Sequence, residues 1–423
     1  MPFSALGFSS TTLPALLRAL SEKGFTAPTQ IQAAAIPAIL QGRDVLASAQ
    51  TGSGKTAAFV LPLLQQIALA AQTSPRRTQA LILVPTRELA VQVGEALDSL
   101  GKYLPQRVKV AVVFGGVSIN PQMMRMRGGV DVVVATPGRL LDLLAHNALS
   151  IAQVSTLVLD EVDRLLDMGF GEELGRILAL LPRKRQTLFF SATFPPAMEA
   201  LANSMLHNPQ RVEVLAEAKD ALDIAQRAIE VDATRRTQLL RHLIETEKWT
   251  RVLVFAATKH ATEIIAVKLR GAGITAEPFH GELSHGKRTQ VLMDFKAKTL
   301  QVVVATDVAA RGIDIAQLPV VVNYDLPRSA VDYTHRIGRT ARAGESGLAV
   351  SFVSAGTEGH LRLIEKRHGV KVKREQVAGF EPVEIAVAEV GVKNTPSANG
   401  GIKGARPSKK DKLRAAAAQA LNS

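Results

Sequence analysis

A chain of 423 residues without cysteine has no disulfide framework, no thiolate zinc site and no cysteine nucleophile. Met1–Leu20 lacks a basic region followed by a long apolar run, and no stretch of about 18 apolar residues exists to span a bilayer, so a soluble, intracellular protein is expected. A net charge of +13 calls for a polyanionic partner, and RNA, DNA and anionic lipid all fit that sign.

The first apolar run, Val45–Ala47, leads into Ala49-Gln50-Thr51-Gly52-Ser53-Gly54-Lys55-Thr56 and then a helical pattern over Ala57–Leu69. Strand, glycine loop and helix form the context of a phosphate-binding loop. Backbone N–H groups converge on one anion, the helix dipole adds attraction, Lys55 neutralises the outer phosphates and Thr56 ligates Mg²⁺. The strict pattern has glycine where this chain has Ala49. Further β-branched runs follow at Ala80–Val84, Val108–Phe114, Val130–Ala135, Thr156–Leu159 and Thr187–Phe190. They are apolar on both faces, as buried parallel strands are. Helical patterns at Arg87–Leu100 and Gly138–Leu144 alternate with them, which predicts an α/β domain. Polar groups cluster at the predicted carboxyl ends of these strands, where ligands of open α/β sheets bind. Asp160-Glu161-Val162-Asp163 directly follows one of them. Beside a phosphate loop, Asp160 is the expected metal ligand and Glu161 the base that deprotonates the attacking water.

A polar, alanine-rich stretch at Leu215–Asp223 marks the interdomain linker. The second half then repeats the style, with runs at Arg251–Phe255, Val302–Ala305, Val320–Tyr324 and Ala349–Val353 and helical patterns at His260–Ala272 and Gly286–Phe295. His335-Arg336-Ile337-Gly338-Arg339-Thr340-Ala341-Arg342 supplies positive charge, and Arg339 and Arg342 share a face if that segment is helical. Their functional reading is arginine fingers across a cleft; the plain reading is a basic helix surface. From Gly391 to Ser423, seven Lys and Arg residues face Asp411 alone, which predicts a basic, mostly disordered tail.

Taken together, these motifs resemble those of DEAD-box ATP-dependent RNA helicases, in family order over about residues 1–380, and the RhlE-type bacterial subgroup in particular through Phe114-Gly115-Gly116-Val117-Ser118-Ile119-Asn120-Pro121. Gly24-Phe25-Thr26-Ala27-Pro28-Thr29-Gln30-Ile31-Gln32 resembles the family's Q motif. By that resemblance Gln32 reads the adenine edge, Phe25 belongs to the base site, and Phe8 or Phe3 stacks on the base. Asp314 touches the ribose. The resemblance implies ATP and Mg²⁺ as cofactors, with Thr56 and Asp160 at the metal. Thr86, Arg87, Gly116, Thr136 and Arg139 hold RNA on the first domain, and Thr258, Thr306 and Arg311 on the second. Asp163, Ser191, Thr193 and His335 couple the two ligands. The implied fold is two tandem RecA-like parallel-sheet domains flanking an ATP cleft. The expected divisions are a Q-motif region at 1–32, an ATP-binding domain at 33–214, a linker at 215–224, a C-terminal helicase domain at 225–380 and the tail at 381–423. The implied activity is RNA-dependent ATP hydrolysis with local unwinding of short duplexes, without sequence specificity, by closure of the domains. Single-stranded and short duplex RNA are the implied partners, with ribosomal precursors or RNA-decay complexes among them, and a cytoplasmic location follows. A non-catalytic RNA clamp and a DNA translocase are the competing readings. Three positions depart from the family: Val162 replaces Ala, His285 replaces Gln and Ala341 replaces Gly. Overpacking beside the metal is expected of the first, and easy tolerance of the last as a good helix former.

Overall fold

The computed structural model describes residues 1–49, 52–71, 73–191, 196–214, 224–310, 318–341 and 346–383. Two compact units divide the chain, 1–382 and 383–423, and all the elements below belong to the first. The tail from residue 384 on, the linker residues 215–223, and the site candidates Gln50, Thr51, Thr193, Arg311, Asp314 and Arg342 lie outside the described residues.

Seven parallel strands build a first sheet: β1 (Val45–Ser48), β2 (Ala80–Leu83), β3 (Val110–Val113), β4 (Val132–Ala135), β5 (Thr156–Asp160), β6 (Gln186–Ser191) and β7 (Gln210–Glu213). Their spatial order is β3-β4-β2-β5-β6-β1-β7. A second parallel sheet contains β8 (Ile224–Glu230), β9 (Val252–Phe255), β10 (Ala276–Phe279), β11 (Val302–Ala305), β12 (Val320–Asn323), β13 (Gly347–Val353) and β14 (Arg374–Glu375), in the order β10-β11-β9-β12-β13-β8-β14. Counted from its own first strand, the second sheet has the same order as the first. Ile224, expected as the last linker residue, opens β8.

The alternation of side chains explains why the central strands are apolar throughout. Val45 and Ala47, Ala80 and Ile82, and Leu188 and Phe190 enter one core cluster of the first sheet. Leu46, Leu81, Leu83 and Phe189 enter another. Helices cover both faces. The first 32 residues add Phe3, Leu6, Phe8, Leu16 and Ile31 to the same cluster as Val45, so the Q-motif region is integral to the first lobe's core. In the second lobe Val252, Val254, Val302 and Val304 enter one cluster, and Leu253, Phe255, Val303 and Ala305 another.

The lobes touch at identifiable side chains. Arg288, on the helix His285–Lys296, pairs with Glu88, on the helix Arg87–Leu100, at 2.8 Å, with both side chains largely buried. Nearby, the ring of His285 packs on Phe114 with centroids 5.4 Å apart.

Candidate nucleotide and RNA site

Strand order decides which loops become neighbours. The glycine loop follows β1 and the acidic tetrad follows β5, with β6 lying between them and ending at Ser191. Ala49 N–H donates to Ser191 O at 3.1 Å, anchoring the loop to β6. Ala49 buries its methyl group in the core and shows no left-handed backbone, so glycine is not required there. Gly52 and Gly54 have φ of 83° and 95°, the region that favours glycine. A methyl group on Gly54 would also strike the Gln32 amide.

Gly54 caps the helix Lys55–Leu69, which begins with the phosphate-loop lysine. The Lys55 ammonium is buried and donates to Ala49 O at 2.6 Å, so it folds back over the loop. Burial pushes its pKa down, and the carboxylate of Asp160 partly offsets this. Asp160 ends β5 and accepts from Glu161 N–H at 3.0 Å. Burial first, and Glu161 second, push its pKa up to about 7, with Lys55 opposing. Such a buried carboxylate gains from a nearby cation. Among the described residues no three His, Cys, Asp or Glu side chains form a metal cage. One carboxylate and one hydroxyl, completed by phosphate oxygens and water, is the donor set that Mg²⁺ accepts.

Glu161 adopts φ 52° and ψ 50°, an uncommon conformation for a residue with a side chain, and opens the short helix Val162–Asp167. Its Oε2 accepts from Arg164 Nη1 at 2.8 Å in a buried ion pair. Sequence reading missed Arg164. Its signal was the three-residue spacing from Glu161, which puts the two on one face of a helical turn. Val162 is fully buried in the apolar cluster on one face of the first sheet. The expected overpacking is therefore a matter of core packing rather than of the metal ligands.

His335 lies in the last turn of the helix Ala330–Ile337 in the second lobe. Burial, and then the charge of Arg164, push its pKa down to about 4, while Asp163 and Glu161 pull the other way and Arg339 adds to the fall. The second lobe thus presents a neutral imidazole to the acidic tetrad. The helix stops at Ile337 with Gly338 as its cap, so Arg339 lies beyond it. The helical condition for a shared face of Arg339 and Arg342 is not met at Arg339, and Arg342 lies outside the described residues. Ala341 has φ 50°. Helix propensity is thus the wrong argument for it: the position favours glycine for its left-handed backbone. Arg336 grips Asp307 with two hydrogen bonds of 2.6 and 2.7 Å and also donates to Asn323 Oδ1 and Asp325 O. It ties its helix to Asp307 after β11 and to the end of β12.

Gln32 is buried. Its Oε1 accepts from Thr29 N–H at 3.0 Å and its Nε2 donates to Gly54 O at 3.1 Å, linking a helix start to the glycine loop. Phe3 and Phe8 are both core residues, whereas Phe25 is 44% exposed.

The RNA candidates of the first lobe occupy the other half of the same sheet edge. Thr86, after β2, caps its helix by accepting from Leu89 N–H at 3.3 Å. Arg87 lies against Gly116, where φ is 78° and a side chain would strike the guanidinium. Thr136 follows β4, and Arg139 donates to Val117 O at 2.8 Å while its buried Nη1 has no hydrogen-bond partner. Thr258, after β9, caps its helix through Ala261 N–H at 3.1 Å, as Thr86 does in the first lobe. Thr306 follows β11, the strand whose place in the second sheet is that of β4 in the first.

Residues 29–201 match the DEAD/DEAH box helicase family and residues 235–344 the helicase conserved C-terminal domain. The chain is 42% identical over 370 residues to the ATP-dependent RNA helicase DeaD of Mycobacterium tuberculosis, covering 88% of this chain and 64% of that protein. It thus spans less than two thirds of that relative's length. It is 40% identical over 372 residues to the DEAD-box ATP-dependent RNA helicase CshA of Bacillus cereus, covering 88% of this chain and 69% of that one. Among solved structures, S. cerevisiae Dbp5 bound to RNA and ADP BeF3 superposes with a TM-score of 0.77 at 31% identity, covering 89% of this chain and 95% of that one. The motifs, the doubled sheet and these likenesses agree, and the chain belongs to the DEAD-box helicase family.

Proposed function

We propose that this chain is an RNA-dependent ATPase that locally separates short RNA duplexes by closing its two lobes, that it belongs to the RhlE-type subgroup, and that it works in the cytoplasm. The observation that carries the reading is the division of one sheet edge. The glycine loop and acidic tetrad flank β6, the RNA candidates end β2, β3 and β4, and side chains of the second lobe reach both groups. The names of DeaD and CshA, and the RNA and ADP BeF3 bound by Dbp5, support it.

In this reading Lys55 offsets phosphate charge and Gln32 ties recognition of the base to the glycine loop. Thr56 and Asp160 hold Mg²⁺, which supplies charge neutralisation at the phosphates. Glu161 takes the proton of the attacking water once its carboxylate leaves Arg164. Arg339 and Arg342 bring positive charge from the second lobe. Thr86, Arg87, Gly116, Thr136 and Arg139, with Thr258, Thr306 and Arg311, contact phosphate and 2′-hydroxyl groups, which favours RNA without reading sequence. Asp314 meets the ribose, and Asp163, Ser191, Thr193 and His335 connect the two ligand sites. Steady-state phosphate release with RNA, with DNA and without nucleic acid tests the whole. Stimulation by RNA alone is expected. Equal stimulation by DNA would favour the translocase reading, and no turnover with any of them the clamp.

A further inference from the structure

The amino-terminal edge of the first sheet, opposite the glycine loop and the tetrad, carries an open groove of about 580 Å³. Three loops meet there: Gly42–Asp44 before β1, Arg183–Arg185 before β6, and His207-Asn208 before β7. These strands are neighbours in the sheet, so their leading loops are too. Asp44 fastens the loops together. Its buried carboxylate accepts from Thr187 N–H and from His207 N–H, each at 2.7 Å, and its carbonyl accepts from Gln210 N–H at 2.7 Å. The Gln186 amide adds a bond to Arg43 O at 2.7 Å.

The rim is cationic. Arg43, Arg183 and Lys184 are exposed and Arg185 is half-buried. Arg185 is held by a bond from Nη1 to Pro182 O at 2.7 Å, while its buried Nε has no partner. Four permanent cations therefore surround one carboxylate whose oxygens are already engaged by backbone N–H groups. A rigid, open groove of this charge suits an extended chain of anions better than a small enclosed ligand. We propose that it is a second RNA site, which takes phosphates of the strand beyond the segment held at the carboxyl edge. The inference rests on the RNA-binding reading above and adds a site at the other end of the sheet. Strands of four to six residues separate the two edges by about 13–20 Å, so only an RNA that extends past the first site can occupy both.

The test uses the full chain and the triple variant Arg43→Gln/Arg183→Gln/Lys184→Gln, which spares Arg185 and Asp44. Single-stranded RNAs of about 8 and about 30 nucleotides lie within and well beyond the 4–16 nucleotides common for one single-strand site. Stimulation of phosphate release by the short RNA, and its affinity, should be the same for both proteins. For the long RNA the variant should bind about tenfold more weakly at low salt, and its log–log salt slope should fall by roughly 2, as three lost phosphate contacts imply. Superimposable salt curves on the long RNA would overturn the proposal and leave the groove to an acidic protein segment. Absence of stimulation by the short RNA in the unaltered protein is a separate outcome, which removes the helicase reading and with it this one.

Discussion

At the residue scale, Glu161 combines a left-handed backbone with a buried partner, Arg164. Glu161→Gln keeps the size and removes the base, so turnover should fall by roughly 10²-fold or more while ATP and RNA still bind; unchanged turnover in a phosphate-release assay would take the role from this residue. Val162→Ala deletes two fully buried methyl groups, which should cost about 1–3 kcal/mol of stability, read from a denaturant midpoint. If the variant instead matches the unaltered protein's midpoint and gains turnover, Val162 strains the tetrad after all. Ala341→Gly relieves a left-handed alanine, worth about 1–2 kcal/mol, but also removes a buried methyl group, about 0.8 kcal/mol, and frees the unfolded chain, about 0.4–1 kcal/mol. Stability should therefore stay within about 1 kcal/mol. These residues show what a motif string leaves out. The order Asp160-Glu161-Val162-Asp163 gave the carboxylates, but the left-handed backbone of Glu161 and the burial of Val162 in the core depend on neighbours distant in sequence, while the pairing with Arg164 lay only three residues away. The glycine preference at Ala341 depends on a φ angle that a one-residue helix rule misjudged.

At the scale of elements, central strands were legible because burial on both faces demands unbroken apolar runs: Val302–Ala305 was read with its observed bounds. The strands left unread are polar or interrupted. β7 reads Gln-Arg-Val-Glu at one edge of its sheet, and β10 contains Pro278, which fits its place at the other sheet's edge. β8 has only two fully buried residues among seven, so its pattern resembles a loop. The ion pair between the lobes was not legible, since Glu88 and Arg288 are 200 residues apart and carry no motif that joins them. A double-mutant cycle with Glu88→Gln and Arg288→Gln should give a coupling of about 0.5–3 kcal/mol in lobe closure, followed by a distance-sensitive fluorophore pair. Strict additivity would mean that the pair forms without favouring closure. The helix carrying His335 brings in pH. Its imidazole titrates near 4 beside Arg164, Asp163, Glu161 and Arg339, against 6.5 when solvated. The closed form then binds fewer protons than the open one, so closure is fully supported above pH 6.5 and loses support as pH falls from there toward 4. The full loss is on the order of 3 kcal/mol. His335→Asn should flatten that part of the profile, and an unchanged profile would assign the acid sensitivity to other groups.

At the scale of the whole molecule, the same strand order occurs twice, but the glycine loop occurs once. β1 runs into Ala49–Thr56, whereas β8, in the matching position, runs into Val231-Asp232. The threonine caps recur in both lobes, Thr86 with Thr258. In the language of switches this scaffold is an AND gate. On the proposed reading one input, ATP, sits mainly on the first lobe and receives Arg339, Arg342 and Asp314 from the second, and the other input, RNA, is gripped by both. Neither input alone brings every group into place, so the output follows the joint probability of the two. With each ligand at the concentration that half-saturates the protein alone, phosphate release should stand near a quarter of its maximum if the inputs are independent, and rise to α/(3 + α) of it if each tightens the other α-fold. A surface of rates over both concentrations measures that factor directly.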